Sequence, residues 1–144
     1  MKVSTKTKYA LEALLYISLQ NEEESVSIQS VAESTQISAS YLEQLFFQLR
    51  KKGFLSSRRG VKGGFYLSRN AQDITVGDVY RAMETNTVPV SCVTNNTVCE
   101  NASNESCASR LLWIGLYETA YEKMDAITLA MLRDRYTCGK VDDK

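Results

Sequence analysis

The chain contains no histidine, a single proline and no Cys-x-x-Cys pair among its four cysteines. Histidine is the side chain used most often for general acid–base work, and no phosphate-binding loop, serine-based triad or paired carboxylate motif stands in its place. The missing Cys-x-x-Cys pair also argues against a dithiol redox enzyme and against a structural zinc site. The sequence therefore predicts a protein that is not an enzyme.

Long apolar runs are absent as well. The apolar stretches are too short to span a bilayer, and no signal-peptide run follows Met1 to Ser4. This pattern predicts a cytoplasmic protein without a membrane partner, in which thiols are kept reduced. With 144 residues, 44% of them hydrophobic and 24% charged, the chain can bury the core of one compact domain or of a small domain with an appended helix.

The zero net charge hides an uneven distribution. Residues 1–70 carry ten Lys/Arg against six Asp/Glu, whereas residues 71–144 carry seven against eleven. No acidic residue occurs between Glu43 and Asp73, a stretch that holds seven cations: Arg50, Lys51, Lys52, Arg58, Arg59, Lys62 and Arg69. This stretch predicts a phosphate-facing surface, with a solvated basic face as the alternative.

Apolar periodicity predicts three helices in the basic half, over residues 9–19, from a cap at Ser27, and over about residues 39–52. The third helix has an apolar face and a largely polar face, and it starts either at a Ser38 cap or at a capping box of Ser40 and Glu43. Two short helices joined by a tight turn are typical of a helix-turn-helix, in which the second helix enters the major groove, although helical hairpins are common in general.

A glycine-rich hairpin follows the third helix. Gly53 ends the helix, residues 54–58 can form a strand, and Gly60, Gly63 and Gly64 surround a tip before the chain returns over residues 65–67. Arg59 and Lys62 lie between these glycines. The pattern predicts a wing whose backbone approaches DNA closely while its cations reach phosphates or a narrow minor groove.

The C-terminal half begins with a helix capped at Thr75, and a polar connection then runs from Thr87 to Ser109. A helix over about residues 111–125 carries a rich apolar stripe: Trp113, Leu116, Tyr117, Ala120, Tyr121 and Met124. This stripe favours dimerisation over a role in the core of one chain. A last short helix is capped by Thr128. The predicted units are a DNA-binding domain (1–85), a sensor loop (86–109), the dimerisation and last helices (110–136) and a tail (137–144).

The polar connection holds Cys92, Cys99 and Cys107, separated by six and seven residues. Soft thiolates gathered on one segment favour an iron–sulfur cluster, and this makes the three cysteines the predicted metal ligands. A thiol switch, a zinc ion and inert cysteines are the alternatives. Cys138, isolated near the end of the chain, is predicted to be a bystander.

Four segments in order carry a resemblance to a known family. They are STKTKYAL (4–11), SYLEQL (40–45), RGVKGGFYL (59–67) and ITVGDV (74–79). With Trp113 and residues 125–129, they closely resemble the Rrf2 (Rrf-two) family of bacterial winged-helix transcriptional regulators, over nearly the whole chain.

The resemblance implies a mainly α-helical homodimer with crossed long helices, winged modules at opposite ends and the cysteine segment near the interface. Such a protein would bind promoter DNA as a repressor or an activator. Its promoter binding would depend on the state of an iron–sulfur cluster, or on redox agents or nitric oxide that act on the cluster. A 2Fe-2S cluster is favoured and a 4Fe-4S cluster is possible. The predicted DNA contacts are Ser38, Ser40, Tyr41, Glu43 and Gln44 from the groove helix, Arg50 on phosphate, and Arg59, Lys62, Gly63 and Gly64 in the wing.

Three cysteines place the chain with the cluster-binding, IscR- and NsrR-like branch. The fourth ligand of IscR-like members is a histidine, where this chain has Arg110, and that of NsrR-like members is a carboxylate from the partner subunit, where this chain has Lys8. The fourth ligand is therefore unknown, the candidates being Glu12, Glu100, Glu105, Cys138 or an exogenous ligand. The alternative function is a cluster-free thiol switch or a CymR-like regulator of cysteine metabolism.

Overall fold

The computed structural model describes residues 1–21, 23–93 and 107–139. Within these residues six α-helices and one two-stranded antiparallel sheet follow one another: α1 (Thr5–Ser18), α2 (Ile28–Thr35), α3 (Ala39–Lys51), β1 (Leu55–Arg58), β2 (Gly64–Leu67), α4 (Val76–Met83), α5 (Ala108–Asp125) and α6 (Leu129–Gly139). Short 3-10 turns cover Ala71–Asp73 and Ser91–Val93. The predicted mainly α-helical fold, with a helix-turn-helix and a hairpin wing, is confirmed.

Hydroxyl side chains begin the helices of the N-terminal unit. Ser4 accepts a hydrogen bond from the backbone N–H of Thr7 at 3.3 Å, so α1 begins at Thr5, four residues before its predicted start. Ser38 accepts one from the N–H of Tyr41 at 3.3 Å and thereby caps α3. Of the two predicted starts for α3, the Ser38 cap is therefore the one that forms, and Glu43 lies beyond the cap.

The core lies between α1, α2, α3, α4 and the base of the hairpin. Phe46 packs its ring edge against the face of Phe65, with 4.9 Å between centroids. Fully buried aliphatic side chains fill the space around this pair: Ala10, Ala13, Leu14, Val31, Leu42, Leu49, Ile74 and Val79. Because α3 supplies four members of this core, its orientation relative to the rest of the unit is fixed by packing.

The hairpin is joined to the segment that precedes α2. Val26 and Phe65 exchange two backbone hydrogen bonds of 2.8 Å, which add a one-residue bridge to the edge of the β1–β2 sheet. The hydroxyl of Ser25 donates to the carbonyl of Lys62 at 2.5 Å. The sequence analysis assigns no element to the residues between the first helix and the Ser27 cap, so this attachment of the wing is a finding of the structure.

The C-terminal helices are joined to the start of α4. The N–H of Val76 donates to the carbonyl of Ile127 at 2.9 Å, and the N–H of Leu129 donates to the carbonyl of Ile74 at 2.8 Å. Arg81 adds a 2.7 Å ion pair with Asp125 at the end of α5. The α5–α6 junction is therefore attached through backbone and side-chain contacts to the unit that carries α3.

Two helix bounds differ from the predicted ones. α5 begins at Ala108, three residues before its predicted start, and α6 extends over eleven residues to Gly139. Among the described residues, no helix is both long enough and apolar enough to cross a membrane.

Candidate DNA-binding surface and cysteine site

The helix α3 exposes the side that its buried residues leave free. Leu42, Leu45 and Phe46 point into the core, and the opposite side is accessible. That side presents most of the residues predicted to face the groove, namely Ser38, Ser40, Glu43 and Gln44, with Arg50 exposed in the last turn. The structure thus places these five residues on one accessible helix.

Tyr41 differs from the other predicted groove residues because its side chain is half-buried. Its ring contacts the ring of Tyr9 edge-on, with 5.6 Å between centroids and an interplanar angle of 88°. The residue therefore lies at the contact of α1 with α3, where it packs against the core, and only part of its side chain is accessible.

The wing exposes two of its predicted DNA contacts. Leu55 pairs with Leu67 at the base of the hairpin and Arg58 pairs with Gly64 near its tip, and Arg59 and Lys62 are exposed between the strands. The guanidinium of Arg58 lies 5.4 Å from the centroid of the Tyr66 ring. The cations at the tip are accordingly presented on a hairpin of defined register.

The glycines of the wing have a role inside the molecule. A Cβ atom on Gly64 would lie 2.5 Å from the carbonyl oxygen of Val26, and one on Gly63 would lie 2.5 Å from the carbonyl oxygen of Arg58. Glycine at these positions allows the turn to close and Val26 to approach β2. Close approach of the two glycines to DNA stays a prediction beside this intramolecular reason.

One residue of the α3 surface falls outside the sequence prediction. Phe47 is 69% exposed, although the prediction assigns only polar and charged residues to this side of the helix. Its position in the sequence could have revealed this exposure. Phe47 lies three residues after Gln44, four after Glu43 and seven after Ser40, and it therefore shares their side of the helix.

Cys92 and Cys107 are joined through Arg110. Cys92 lies in the 3-10 turn Ser91–Val93, and Cys107 is the N-cap residue of α5. The Nε of Arg110 donates to the carbonyl oxygen of Cys92 at 3.1 Å, and the backbone N–H of Arg110 donates to the carbonyl oxygen of Cys107 at 3.0 Å. One arginine thus ties the two ends of the cysteine segment to the first turn of α5.

The thiol of Cys107 is in a setting that favours its anion. Its Sγ lies 3.1 Å from the hydroxyl oxygen of Ser109. The hydrogen bonds from that hydroxyl and from the backbone N–H of Arg110 lower the pKa of the Cys107 thiol below its ordinary value, and the positive charge of Arg110 acts in the same direction. Cys107 is therefore prepared to act as a thiolate ligand or a reactive thiol.

The other cysteines are placed differently. Cys99 lies outside the described residues, as do Glu100 and Glu105, while Cys138 is exposed on α6. Over residues 1–21, 23–93 and 107–139, no three or more His, Cys, Asp or Glu side chains are grouped so that they could hold a metal ion. The predicted three-cysteine ligand set stays a prediction.

Residues 84–87, which lead into the cysteine-bearing connection, are attached to α1 and α5. The Glu84 carboxylate, at the end of α4, accepts hydrogen bonds from the backbone N–H and hydroxyl of Ser4 at 2.8 and 2.6 Å, and a further one from the hydroxyl of Thr7. The hydroxyl of Tyr121 donates to the carbonyl of Thr87 at 3.2 Å. Residues 84–87 are therefore held between the first helix and the long helix.

The apolar residues of α5 are divided between two sides. Tyr121 is buried against Tyr80, with 6.0 Å between ring centroids. By contrast Leu111, Leu112 and Leu116 are 76%, 57% and 51% exposed. Within the predicted stripe, Tyr121 is thus packed in this chain and Leu116 is accessible, and Leu111 and Leu112, which lie outside the predicted stripe, are accessible as well.

Known proteins resemble the chain along its whole length. A family model described as "Rrf2: Iron-dependent Transcriptional regulator" matches residues 3–135. "Protein rrf2" of Nitratidesulfovibrio vulgaris is 38% identical over 97% of this chain and 93% of its own. The transcriptional regulator IscR of Pectobacterium atrosepticum is 35% identical over 100% of this chain and 86% of its own. CymR of Bacillus subtilis is 36% identical over 97% of this chain and 94% of its own.

Solved structures agree with these relatives. The structure of CymR, the global cysteine regulator of B. subtilis, has a TM-score of 0.80 at 34% identity, covering 94% of this chain and 98% of that one. IscR of T. potens has a TM-score of 0.76 at 32% identity, and the match covers 94% of this chain and 88% of that one. These proteins are transcriptional regulators, which confirms the prediction of a DNA-binding regulator without enzymatic activity. The chain belongs to the Rrf2 family of winged-helix transcriptional regulators.

Proposed function

We propose that this regulator is a homodimer whose affinity for promoter DNA depends on an iron–sulfur cluster held by Cys92, Cys99 and Cys107. The observation that carries the proposal is the pair of hydrogen bonds from Arg110 to the carbonyl oxygens of Cys92 and Cys107, at 3.1 and 3.0 Å. The bond to Cys92 holds this residue beside the first turn of α5, where Cys107 already lies as the N-cap residue, and α5 is joined to the DNA-binding unit at its other end.

The chemistry of these residues fits such a cluster. Thiolates are the usual ligands of iron in these centres, and the hydrogen bonds to Cys107 favour its thiolate. A bound cluster supplies a redox-active centre, and an iron without a cysteine ligand is open to oxidants and nitric oxide. Arg110 carries only donors and cannot be the fourth ligand, so its part is to hold the backbone of Cys92. A 2Fe-2S cluster remains favoured, with 4Fe-4S as the alternative and the fourth ligand open.

On DNA, the exposed side of α3 would enter the major groove. Ser38, Ser40, Glu43 and Gln44 would reach base edges or the groove wall, with Tyr41 contributing the accessible part of its ring, and Arg50 would contact phosphate. The wing would place Arg59 and Lys62, supported by Gly63 and Gly64, on the backbone or in the adjacent minor groove. The seven cations between Glu43 and Asp73 support this orientation.

A second copy of the chain would cover the accessible side of α5. Leu111, Leu112 and Leu116 form an apolar surface on a helix whose other side is already packed against α4. Burial of one leucine contributes about 1.5–3 kcal/mol, so three leucines from each copy give a substantial driving force for pairing. The two long helices would cross there, which places the cysteine segments near the interface.

The path from the cysteines to α3 runs along α5. Cys107 is the first residue of this path, and the α5–α6 junction is bonded to Ile74 and Val76 at the start of α4. A displacement of Cys107 therefore moves a helix that is attached to the DNA-binding unit at its other end. A coupling of roughly 1–3 kcal/mol would change DNA affinity by about 5- to 150-fold, which is enough to switch a promoter.

The test compares reconstituted and stripped protein under anaerobic conditions. Iron and sulfide per chain and the absorption spectrum report the cluster, and a binding titration on a promoter fragment at fixed salt reports affinity. Cys92→Ala is expected to lose the cluster and to bind DNA with the affinity of the stripped wild type. Cys138→Ala, which alters an exposed cysteine on α6, is expected to behave as wild type if Cys138 is a bystander, whereas loss of the cluster in this variant would identify Cys138 as the fourth ligand.

Two results would contradict the proposal in different ways. Equal affinity of the reconstituted and stripped forms for the same fragment would remove the regulatory role. A reconstituted wild type without iron, sulfide or colour would remove the cluster itself.

The second candidate is a cluster-free regulator, switched by thiol oxidation or acting in cysteine metabolism. Two observations favour it: the 36% identity to CymR and the lowered pKa of the Cys107 thiol. In this case two thiols of the chain would lose two electrons and two protons to an external oxidant and form a disulfide. A colourless protein whose DNA affinity changes on oxidation, with Cys107 found in a disulfide by mass spectrometry, would support this candidate.

A further inference from the structure

Phe47 is exposed in the middle of the α3 surface without an evident role in the fold. Its neighbour Phe46 is completely buried and packs against Phe65, so the adjacent position already supplies the aromatic side chain of the core. Phe47 in contrast leaves 69% of its surface accessible. Burial of an aromatic ring is favourable, and this ring obtains little of that gain within the chain.

The surroundings of Phe47 indicate what covers it. Glu43 and Gln44 lie one turn before it on the same side, and Lys51 lies one turn after it. All three side chains are exposed. A single ring among one anionic, one neutral and one cationic side chain does not form an apolar protein interface, whereas the seven cations between Glu43 and Asp73 complement the phosphates of a duplex. Duplex DNA is therefore the occupant that fits this surface.

The major groove offers one apolar group, the 5-methyl of thymine. A phenylalanine cannot read a base through hydrogen bonds, but it can bury this methyl against its ring. We propose that Phe47 contacts a thymine 5-methyl group and makes this chain select thymine at one position of each half-site. The inference rests on the proposed entry of α3 into the major groove.

Replacement of thymine by deoxyuridine isolates this contact. The substitution removes the methyl group and leaves every hydrogen-bonding atom of the base pair in place. Burial of one methyl-sized group corresponds to an affinity change of about threefold to fivefold, so substitution in both half-sites is expected to weaken wild-type binding by roughly ninefold to twenty-fivefold.

The experiment begins with selection of binding sites from random duplexes by the wild type and by Phe47→Ser at one salt concentration. Each thymine of the wild-type site is then replaced by deoxyuridine in turn. We expect one position per half-site at which the replacement weakens the wild type but leaves Phe47→Ser unchanged, and a loss of the thymine preference there in the variant. Phe47→Leu, which keeps an apolar side chain, is expected to retain part of the preference.

Met131→Ser is the matched control, because Met131 is a 51% exposed apolar residue on α6, away from this surface. It is expected to retain the wild-type response to deoxyuridine. Circular dichroism and the elution volume of each variant report fold and oligomeric state, and both are expected to match the wild type.

The possible failures are distinguishable. If the wild type selects a defined site but every deoxyuridine replacement affects it and Phe47→Ser equally, the role of Phe47 is overturned and the proposed function stands. A changed oligomeric state in Phe47→Ser would assign the ring to a contact between copies of the chain and would also overturn it. A wild type that selects no sequence would refute the proposed function, and the inference with it.

Discussion

Glu84 joins the end of α4 to the start of α1 through one carboxylate oxygen. Its Oε1 accepts hydrogen bonds from the backbone N–H and the hydroxyl of Ser4, at 2.8 and 2.6 Å, and from the hydroxyl of Thr7, which is only 1% exposed. The substitution Glu84→Gln keeps the size of the side chain and an acceptor oxygen but removes the charge. We expect this variant to be measurably less stable than the wild type.

The magnitude follows from the contacts that lose their charged acceptor. A hydrogen bond to a charged group contributes about 1.5–3 kcal/mol, but several bonds to one oxygen are not additive, and the glutamine oxygen still accepts. We expect Glu84→Gln to lower the free energy of unfolding by about 1–2 kcal/mol, which corresponds to a decrease in Tm of roughly 2–8 °C. Glu84→Ala should cost about 2–3 kcal/mol, because the buried hydroxyl of Thr7 loses its carboxylate acceptor and, among the described residues, keeps the hydroxyl of Ser4 at 3.4 Å as its neighbour.

The effect should depend on pH in a defined direction. Partial burial raises the pKa of the Glu84 carboxyl, but the hydrogen bonds from Ser4 and Thr7 outweigh it and lower the pKa below its ordinary value of 4.5. Because the folded-state pKa is below the unfolded-state value, the stabilisation is fully present above about pH 4.5 and is lost as the pH falls through the folded-state pKa. The difference between wild type and Glu84→Gln should therefore shrink in acid.

Urea unfolding followed by circular dichroism, at one protomer concentration and at neutral and acidic pH, measures this difference. The control is Glu33→Gln, since Glu33 is exposed on α2 and accepts a hydrogen bond from the side chain of Gln29 at 3.0 Å. It should change stability by less than about 0.5 kcal/mol. A Glu84→Gln variant as stable as wild type at neutral pH, or a difference that stays constant into acid, would refute the reasoning.

Three further predictions concern the wing and the cysteine site. Arg59→Ala should weaken binding to the selected DNA site by about 1–3 kcal/mol, and an unchanged Kd at fixed salt would reject its role in the groove. Gly64→Ala should lower the free energy of unfolding by about 1–3 kcal/mol, because its Cβ would lie 2.5 Å from the carbonyl oxygen of Val26; thermal unfolding measures it. Ser109→Ala should raise the pKa of the Cys107 thiol and slow its alkylation by iodoacetamide near neutral pH in the stripped protein.

The last two of these predictions have controls within the chain. Val61→Ala alters a fully exposed side chain at the tip of the same hairpin, so it should not destabilise the protein as Gly64→Ala does. Cys138 is exposed on α6 and serves as the reference thiol in the alkylation experiment. Equal alkylation rates for Cys107 in wild type and Ser109→Ala would argue against the hydroxyl as the cause of the lowered pKa.

The features that the sequence predicts correctly depend on local rules. A hydroxyl before an apolar repeat places the caps at Ser27 and Thr75, and the apolar spacing of α3 identifies its buried side. Gly53, with a φ of +79°, ends α3 as its position suggests. Each of these features is decided by residues within one or two helical turns, which is the range over which sequence patterns are informative.

The features that the sequence does not predict depend on contacts between distant segments. Val26 bonds to Phe65 and Glu84 bonds to Ser4, pairs whose partners lie 39 and 80 residues apart. Similarly, the half-burial of Tyr41 requires knowledge of where α1 lies, because its partner is Tyr9. No periodicity in one segment reveals such pairs, since each is decided by how the helices pack.

The cysteine site likewise combines a local feature that the sequence shows with a distant contact that it does not show. The clustering of thiols is visible in the sequence, but the attachment of Cys92 to α5 by Arg110 is not, because the guanidinium reaches a carbonyl 18 residues earlier in the chain. By the resemblance alone, Arg110 is the residue that stands in place of a histidine ligand. Its observed contact is with the backbone that carries a proposed ligand.

The two hydrogen bonds between Val26 and Phe65 have a consequence for how the protein meets a duplex. Val26 immediately precedes the Ser27 cap of α2, and Phe65 follows the tip of the hairpin by two residues, so the hairpin is bonded directly to the start of α2. If α3 and the wing enter adjacent grooves as proposed, this attachment helps to set the interval between them, and a site of different helical twist must deform to match it. We therefore expect the affinity for different operators to depend partly on how easily the base-pair steps between the two contacted grooves overwind or underwind.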